Sequence, residues 1–202
     1  MDKFCTVADM ALLLQVEISE PDQVASAERA IQEATNAIRE YCRQWLHPVT
    51  DATVTFDVLT PRYNLLLPQL PVVAITSVLE NGVTLTAPDD YTVTQDGQLL
   101  RHGGGRWTRG AGAVVVSYSY GYATLPEIIG DIATRAACRV FQAGLRTAQT
   151  EAVPGVNAQT LGDFSVTFGA ESYGGVSEGV MGVSAARMLL LSEKDMLNAY
   201  RL

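Results

Sequence analysis

Two short patterns in this chain are of the kind that carries a catalytic serine. His102–Gly105 reads HGGG and Gly175–Gly179 reads GVSEG, which are typical of the oxyanion loop and of the nucleophile turn in serine hydrolases. In those enzymes the general-base histidine follows the serine, whereas the only histidines here, His47 and His102, both precede Ser177. Ser177 also lies in a glycine-rich stretch instead of between a strand and a helix. We therefore interpret Ser177 as a loop residue.

The other reactive side chains do not form a catalytic or metal-binding pattern. Asp89 and Asp90 follow Pro88, which is ordinary turn chemistry. Three cysteines far apart in the sequence argue against a disulfide framework or a zinc site, and we expect them to be small core residues: Cys5, Cys42 and Cys138. The sequence predicts neither an enzyme nor a bound cofactor or metal.

One segment concentrates basic and aromatic side chains. Residues 101–110 read RHGGGRWTRG, and its candidate partner-binding residues are Arg101, Arg106, Trp107 and Arg109. The alternative is a hairpin connection whose arginines keep a sheet edge soluble. Because the whole chain carries a net charge of −8, we expect a protein partner here in preference to DNA phosphates.

The elements that must position these residues fall into two kinds. Residues 124–144 predict a buried helix, capped by Thr124 and ended by Gly144. Thr6 and Asp9 predict a capping box for a short first helix. A second helix starts at Pro21, and its apolar seam runs at helical spacing through Val24, Ala27, Ile31, Ala34, Ile38, Tyr41 and Trp45.

Between these helices the periodicity becomes that of short strands. Residues 49–121 contain alternating β-branched and aromatic runs separated by turn signals, of which Asn81-Gly82 and Asp96-Gly97 are the strongest hairpin signals. The sequence therefore predicts a single α+β domain: a helical bundle from residues 1–48 and 122–202, with a small antiparallel β region inserted at 49–121.

The last third of the chain combines loops with a terminal helix. Residues 146–158 and 169–182 are candidates for ordering on assembly, and residues 161–168 predict a strand or one arm of a hairpin. Ser192 with Asp195 predicts a second capping box before the terminal helix.

Several strings, taken in order, resemble the head–tail connector proteins of tailed bacteriophages, the adaptors of the neck beneath the portal. They are LPVVAITSV, DYTV, SYSYGYATLPE and LGDFSVTF. The resemblance covers nearly the whole chain and implies a homo-oligomeric, dodecameric ring that extends the DNA channel, with no membrane partner. DNA would pass without sequence-specific binding, in a virion neck assembled in the host bacterial cytoplasm.

The resemblance also implies which residues meet partners. The terminal helix would dock to the portal protein, and the far face would receive a downstream neck or tail-completion protein. The portal-binding candidates are Arg187, Met188, Leu191, Leu197, Tyr200 and Arg201. The alternative for this helix is closure of the chain's own bundle. The alternative function is a tail-side structural subunit, either a tail completion or a tail terminator protein.

Overall fold

A computed structural model describes residues 2–150, 158–161, 164–167 and 188–202. Its helices are α1 (Val7–Leu14), α2 (Pro21–Cys42), α3 (Glu127–Thr150) and α4 (Leu191–Leu197), and a 3-10 turn, Asn198–Tyr200, follows α4. Its strands are β1 (Val49–Val58), β2 (Asn64–Leu66), β3 (Val72–Glu80), β4 (Val83–Leu85), β5 (Tyr91–Val93), β6 (Gln98–Arg101), β7 (Gly110–Tyr120), β8 (Ala158–Leu161) and β9 (Phe164–Thr167). No helix of the described segments is long and apolar enough to cross a bilayer.

The first two helices begin where their sequences predict. The Thr6 side chain accepts a hydrogen bond from the Asp9 N–H at 3.2 Å, and the Asp9 carboxylate accepts one from the Thr6 N–H at 2.8 Å. The predicted capping box is therefore confirmed. Pro21 opens α2 in the first turn, where its missing N–H leaves no hydrogen bond unmade.

The helices share one apolar core. The centre of the α2 seam is buried, at Ala27, Ile31, Ala34 and Ile38. α2 and α1 both pack against α3, which contributes Ile129, Ile132, Ala133 and Phe141 to the same core. The three cysteines are free and buried, as predicted. Burial raises the pKa of Cys42 to about 11, so its thiol stays protonated at neutral pH.

The predicted ends of the two long helices are wrong. α2 stops at Cys42 because Arg43 adopts a left-handed backbone with φ 56°. Trp45 therefore lies beyond the seam and is 39% exposed, with the Arg39 guanidinium 3.7 Å from its ring centroid. α3 begins at Glu127, after Thr124, and continues through Gly144, since glycine inside a helix costs only about 1 kcal/mol.

The β region has its own core between two antiparallel sheets. Four strands pair in the order β1-β7-β3-β4, and three pair in the order β2-β6-β5. Both sheets bury side chains in a cluster around the fully buried Trp107. The predicted hairpin turns are confirmed: Asn81-Gly82 joins β3 to β4, and Asp96-Gly97 lies between β5 and β6. β8 pairs with β9 as a separate hairpin, which agrees with the strand predicted at residues 161–168.

The mixed α+β class is thus confirmed. The helical core and the β core are separate clusters, and they meet where β7 leads into α3. There the Gly121 N–H donates to the Pro71 carbonyl at 3.0 Å, and the Tyr122 N–H donates to the Leu46 carbonyl at 3.0 Å. Gly121 has φ 99°, and a Cβ at this position would overlap the backbone carbonyl of His47. Only glycine fits this crossing without displacement of the backbone.

We expect Gly121→Ala to lower the free energy of unfolding by at least about 2 kcal/mol, because it adds a backbone clash to the strain of a positive φ. Gly82→Ala is the matched control, since Gly82 has φ 81° but open space around it. That control should cost only about 1 kcal/mol. Urea unfolding of both variants measures the difference, and equal losses would show that the crossing at Gly121 is not tight.

Candidate functional site

The segment 188–202 follows α2 and α3 and closes the helical core. Met188, Leu189 and Leu197 are each at most 5% exposed and belong to that core. Met188 and Leu197, two of the predicted portal-binding residues, therefore pack within their own chain. For these two residues the structure favours closure of the chain's own helices.

An ion pair between the half-buried Arg139 and the buried Glu193 holds this segment on α3. The Arg139 guanidinium donates to both carboxylate oxygens of Glu193, at 2.9 and 2.6 Å, and also to the Met188 carbonyl at 2.9 Å. Glu193 is only 3% exposed, and it accepts a further hydrogen bond from the Leu190 N–H at 2.9 Å. A buried carboxylate is tolerated when it is paired and hydrogen-bonded in this way.

The same contacts correct the predicted start of the terminal helix. α4 begins at Leu191, so Ser192 is inside the helix and does not cap it with Asp195. Glu193 receives the Leu190 N–H instead. The sequence analysis did not single out Glu193, because its partner Arg139 lies on α3, far away in the sequence.

The end of the chain is fixed on the last turn of α2 and on the residues that directly follow it. The Tyr41 hydroxyl donates to the Asn198 side chain at 2.7 Å, and the Gln44 amide donates to the Tyr200 carbonyl at 2.9 Å. Tyr200 also meets the Tyr122 ring edge-on at 6.0 Å between centroids. These contacts leave Tyr200 partly buried.

Several apolar side chains on the outer side of the segment are exposed, beside the polar Ser192 and Asp195. Leu191 is 79% exposed, Met196 46%, Leu190 39% and Leu202 38%. Arg201 is also exposed, with its guanidinium 5.4 Å from the Tyr41 ring centroid. We name Leu190, Leu191, Met196 and Leu202 the terminal apolar face. Of the predicted candidates, Leu191 and Arg201 are accessible, whereas Arg187 lies outside the described residues.

The basic segment 101–110 divides between core and surface. Trp107 is fully buried, and its indole N–H donates to the Leu99 carbonyl at 3.3 Å. It is therefore a core residue and not the exposed anchor that the sequence suggested. Arg101 is engaged within the chain, at 3.3 Å from Glu80 and 3.4 Å from Asp90. A hydrogen bond from the Thr86 N–H, together with Arg101, holds the pKa of Asp90 below its usual value.

Arg106 and Arg109 remain on the surface. Arg106 is adjacent to the buried Trp107, so alternation along the extended chain turns its side chain outward. Arg109 is also exposed, although it is two residues from Trp107. The Arg106 guanidinium lies 4.7 Å from the centroid of the Tyr63 ring, and Tyr63 is 51% exposed. Two of the four predicted hairpin candidates are thus available to a partner.

Two surface features were missed from the sequence. A groove of about 620 Å³ lies between α1 and the start of α3 and is partly lined by Leu12 and Leu13. Near the end of α2, the Arg39 guanidinium is close to the rings of Phe4 and Trp45 and contacts His47. Desolvation lowers the pKa of His47, and the neighbouring Arg39 charge adds to this effect. The outward leucines of α1 were the available signal for the groove.

Within the described ranges, no group of three or more histidine, cysteine or acidic side chains is placed to hold a metal ion. The polar clusters of these residues join one element of the chain to another, as the Arg139–Glu193 pair does. The accessible features are the terminal apolar face, the exposed arginines and the groove beside α1. Such surfaces suit binding to other proteins.

Comparison with known proteins finds similarity in the fold. No family model matches the sequence, and no curated protein matches it significantly. A chain from the neck of an empty gene transfer agent (GTA) particle, computed with C6 symmetry, superposes with a TM-score of 0.51 at 14% identity, covering 96% of this chain and 88% of that one. A chain from the native GTA neck, computed with C12 symmetry, gives a TM-score of 0.45 at 12% identity over 96% and 87%. The resemblance to connector proteins is thereby confirmed at the level of the fold.

We expect Arg139→Met to lower the free energy of unfolding by about 3 kcal/mol, because it leaves the buried Glu193 carboxylate without its counter-charge. The control is Glu28→Gln, which breaks the more exposed 3.5 Å pair with Lys3 and should cost less than about 1 kcal/mol. Urea unfolding reports both values. If Arg139→Met is as mild as the control, the ion pair does not anchor the terminal segment.

Proposed function

We propose that this chain is a structural virion protein, a head–tail connector whose copies form a dodecameric ring at the neck. The ring lies coaxial with the portal protein, extends the DNA channel and receives a downstream neck or tail-completion protein on its far side. The observation that carries this proposal is the fold likeness to a chain from a GTA neck, because it spans nearly the full length of both chains.

The surface of the chain supports an assembly role. The terminal apolar face exposes Leu191 and Met196 although the same segment buries Leu197 in the helical core. A segment that is anchored on one side and exposes apolar side chains on the other can dock to a partner at little cost in conformational entropy. We propose that this face meets the portal, with Arg201 at its margin.

The charge of the chain supports passage of DNA without tight binding. A net charge of −8 gives the ring little general attraction for phosphates. In this proposal the helical part acts as a small bundle, the role is structural and not enzymatic, and assembly takes place in the host bacterial cytoplasm. The alternative is a tail-side subunit, which we expect to be built around a β sheet without two long flanking helices.

We predict that Leu191→Asp combined with Met196→Asp abolishes co-sedimentation with the portal ring encoded by the same genome. Both side chains are exposed, so the variant should stay folded. Binding should be lost because burying two carboxylates in an apolar contact costs the free energy of their hydration. Val83→Asp is the control, because Val83 is 65% exposed on the β region.

Saturable binding of the wild-type chain, near one copy per portal subunit, together with loss in the double variant, supports the proposal. If the double variant binds like the wild-type chain, portal docking lies elsewhere on the surface. If the wild-type chain does not bind at any salt concentration, the tail-side alternative is favoured. Deletion from Ser192 is a poor test, because it also removes the buried Glu193 and Leu197.

A further inference from the structure

The groove beside α1 is lined by both apolar and acidic side chains. Leu12 is 80% exposed and Leu13 is 51% exposed, although both belong to a helix whose Met10 is fully buried. The carboxylates of Asp9, Glu127 and Asp131 lie around these leucines, against the single cation Arg135. We name the surface formed by Asp9, Leu12, Leu13, Glu127, Asp131 and Arg135 the leucine groove.

Two carboxylates of the leucine groove, those of Glu127 and Asp131, are available for an incoming cation. Asp9 accepts hydrogen bonds from its own capping residue, Thr6. Glu127 and Asp131 are exposed and form no ion pair within 4.0 Å among the described residues. An arginine of a partner would therefore find unpaired carboxylates beside apolar surface, a combination that suits the guanidinium and its apolar stem.

A surface of opposite character lies on the β region. Arg62, Arg106 and Arg109 are exposed and are brought together by the pairing of Arg62 with Trp107 and of Val58 with Gly110. Two exposed apolar side chains accompany them, Leu59 at 74% and Tyr63 at 51%. We name Leu59, Arg62, Tyr63, Arg106 and Arg109 the arginine face.

The acidic groups near the arginine face are already engaged. The Asp57 carboxylate accepts the Gly112 N–H at 2.7 Å. Glu80 accepts hydrogen bonds from Thr108 and pairs with Arg101. Of these two carboxylates only that of Asp57 is exposed. The arginine face therefore carries a net positive charge, although the net charge of the whole chain is −8.

We propose that the arginine face of one copy docks into the leucine groove of the next copy in the ring. The inference rests on the proposed connector function and assigns its subunit interface. The two surfaces are complementary in charge, and both are partly apolar. The arginine face lies on the β region, and the leucine groove lies on the helical part of the chain. An interface that joins two different surfaces of the same chain generates a ring when its rotation closes.

The chain's own residues 151–187, of which the structure describes only 158–161 and 164–167, are a poorer occupant for the leucine groove. They carry the carboxylates of Glu151, Asp163, Glu171 and Glu178 against a single cation, Arg187. Such a segment would bring like charges to the carboxylates of the groove, which opposes docking. The arginine face has the charge that the groove requires.

The test uses two charge-reversed variants of the full chain. The first is Arg106→Glu with Arg109→Glu on the arginine face, and the second is Glu127→Arg with Asp131→Arg on the leucine groove. Each should raise the Kd of self-association at least about tenfold, because like charges then face each other. Arg29→Glu with Arg43→Glu matches the charge change of the first variant on exposed positions of α2 and of its C-terminal cap, and it should assemble normally.

Mixing the two variants gives the decisive result. In an equimolar mixture the acidic face of the first variant meets the basic groove of the second, and the unchanged face of the second meets the unchanged groove of the first. Alternating rings should therefore form, although neither variant forms them alone. Sedimentation velocity and negative-stain microscopy, with and without the portal ring, report assembly. Thermal unfolding confirms that each variant is folded.

Three outcomes contradict the assignment in distinguishable ways. Rings formed by either variant alone would overturn this interface and leave the connector function intact. Failure of the mixture, when each variant also fails alone, would show that the two surfaces do not meet each other. Absence of rings from the wild-type chain in both conditions would overturn the ring itself and this interface with it.

Discussion

The close crossing at Gly121 is the constraint on which the arrangement of this chain depends. At that point the end of β7 passes so near the His47 carbonyl that a side chain cannot be accommodated. Gln44 reinforces the crossing, because its side chain accepts the Leu70 N–H and donates to the Tyr200 carbonyl. One buried amide thus links the connection after α2, the approach to β3 and the end of the chain. The helical core and the β core are held in a defined relation by these contacts.

Because the two cores are fixed relative to each other, the terminal apolar face and the exposed arginines of the β region are also held in fixed positions. The Arg139–Glu193 pair and the buried Leu197 hold the terminal segment so that Leu191 and Met196 face outward. On the β region, the buried Trp107 lies between the exposed Arg106 and Arg109. In both places buried residues hold the backbone, and neighbouring side chains are left exposed for contact with another molecule. A subunit that must match neighbours on several sides gains from such preorganised surfaces.

Local features of this fold were predictable from the sequence, and tertiary ones were not. The Thr6–Asp9 box and the Asn81-Gly82 turn depend on neighbouring residues and were found correctly. The burial of Trp107 was missed, since an aromatic residue among arginines reads as surface until the opposing sheet is known. The end of α2 was also missed, because the left-handed Arg43 has no signal in the apolar spacing. At the candidate site, Leu191 was named from the resemblance and is exposed, whereas the anchoring role of Arg139 required the packing of α3.

Cryo-electron microscopy of the particle encoded by the same genome can locate this chain and test the ring that we propose at the neck. We expect density for this fold as a closed ring between the portal and the first tail component, with the terminal apolar face against the portal. A particle that has the chain in its tail, or that lacks it altogether, would overturn the proposed connector function.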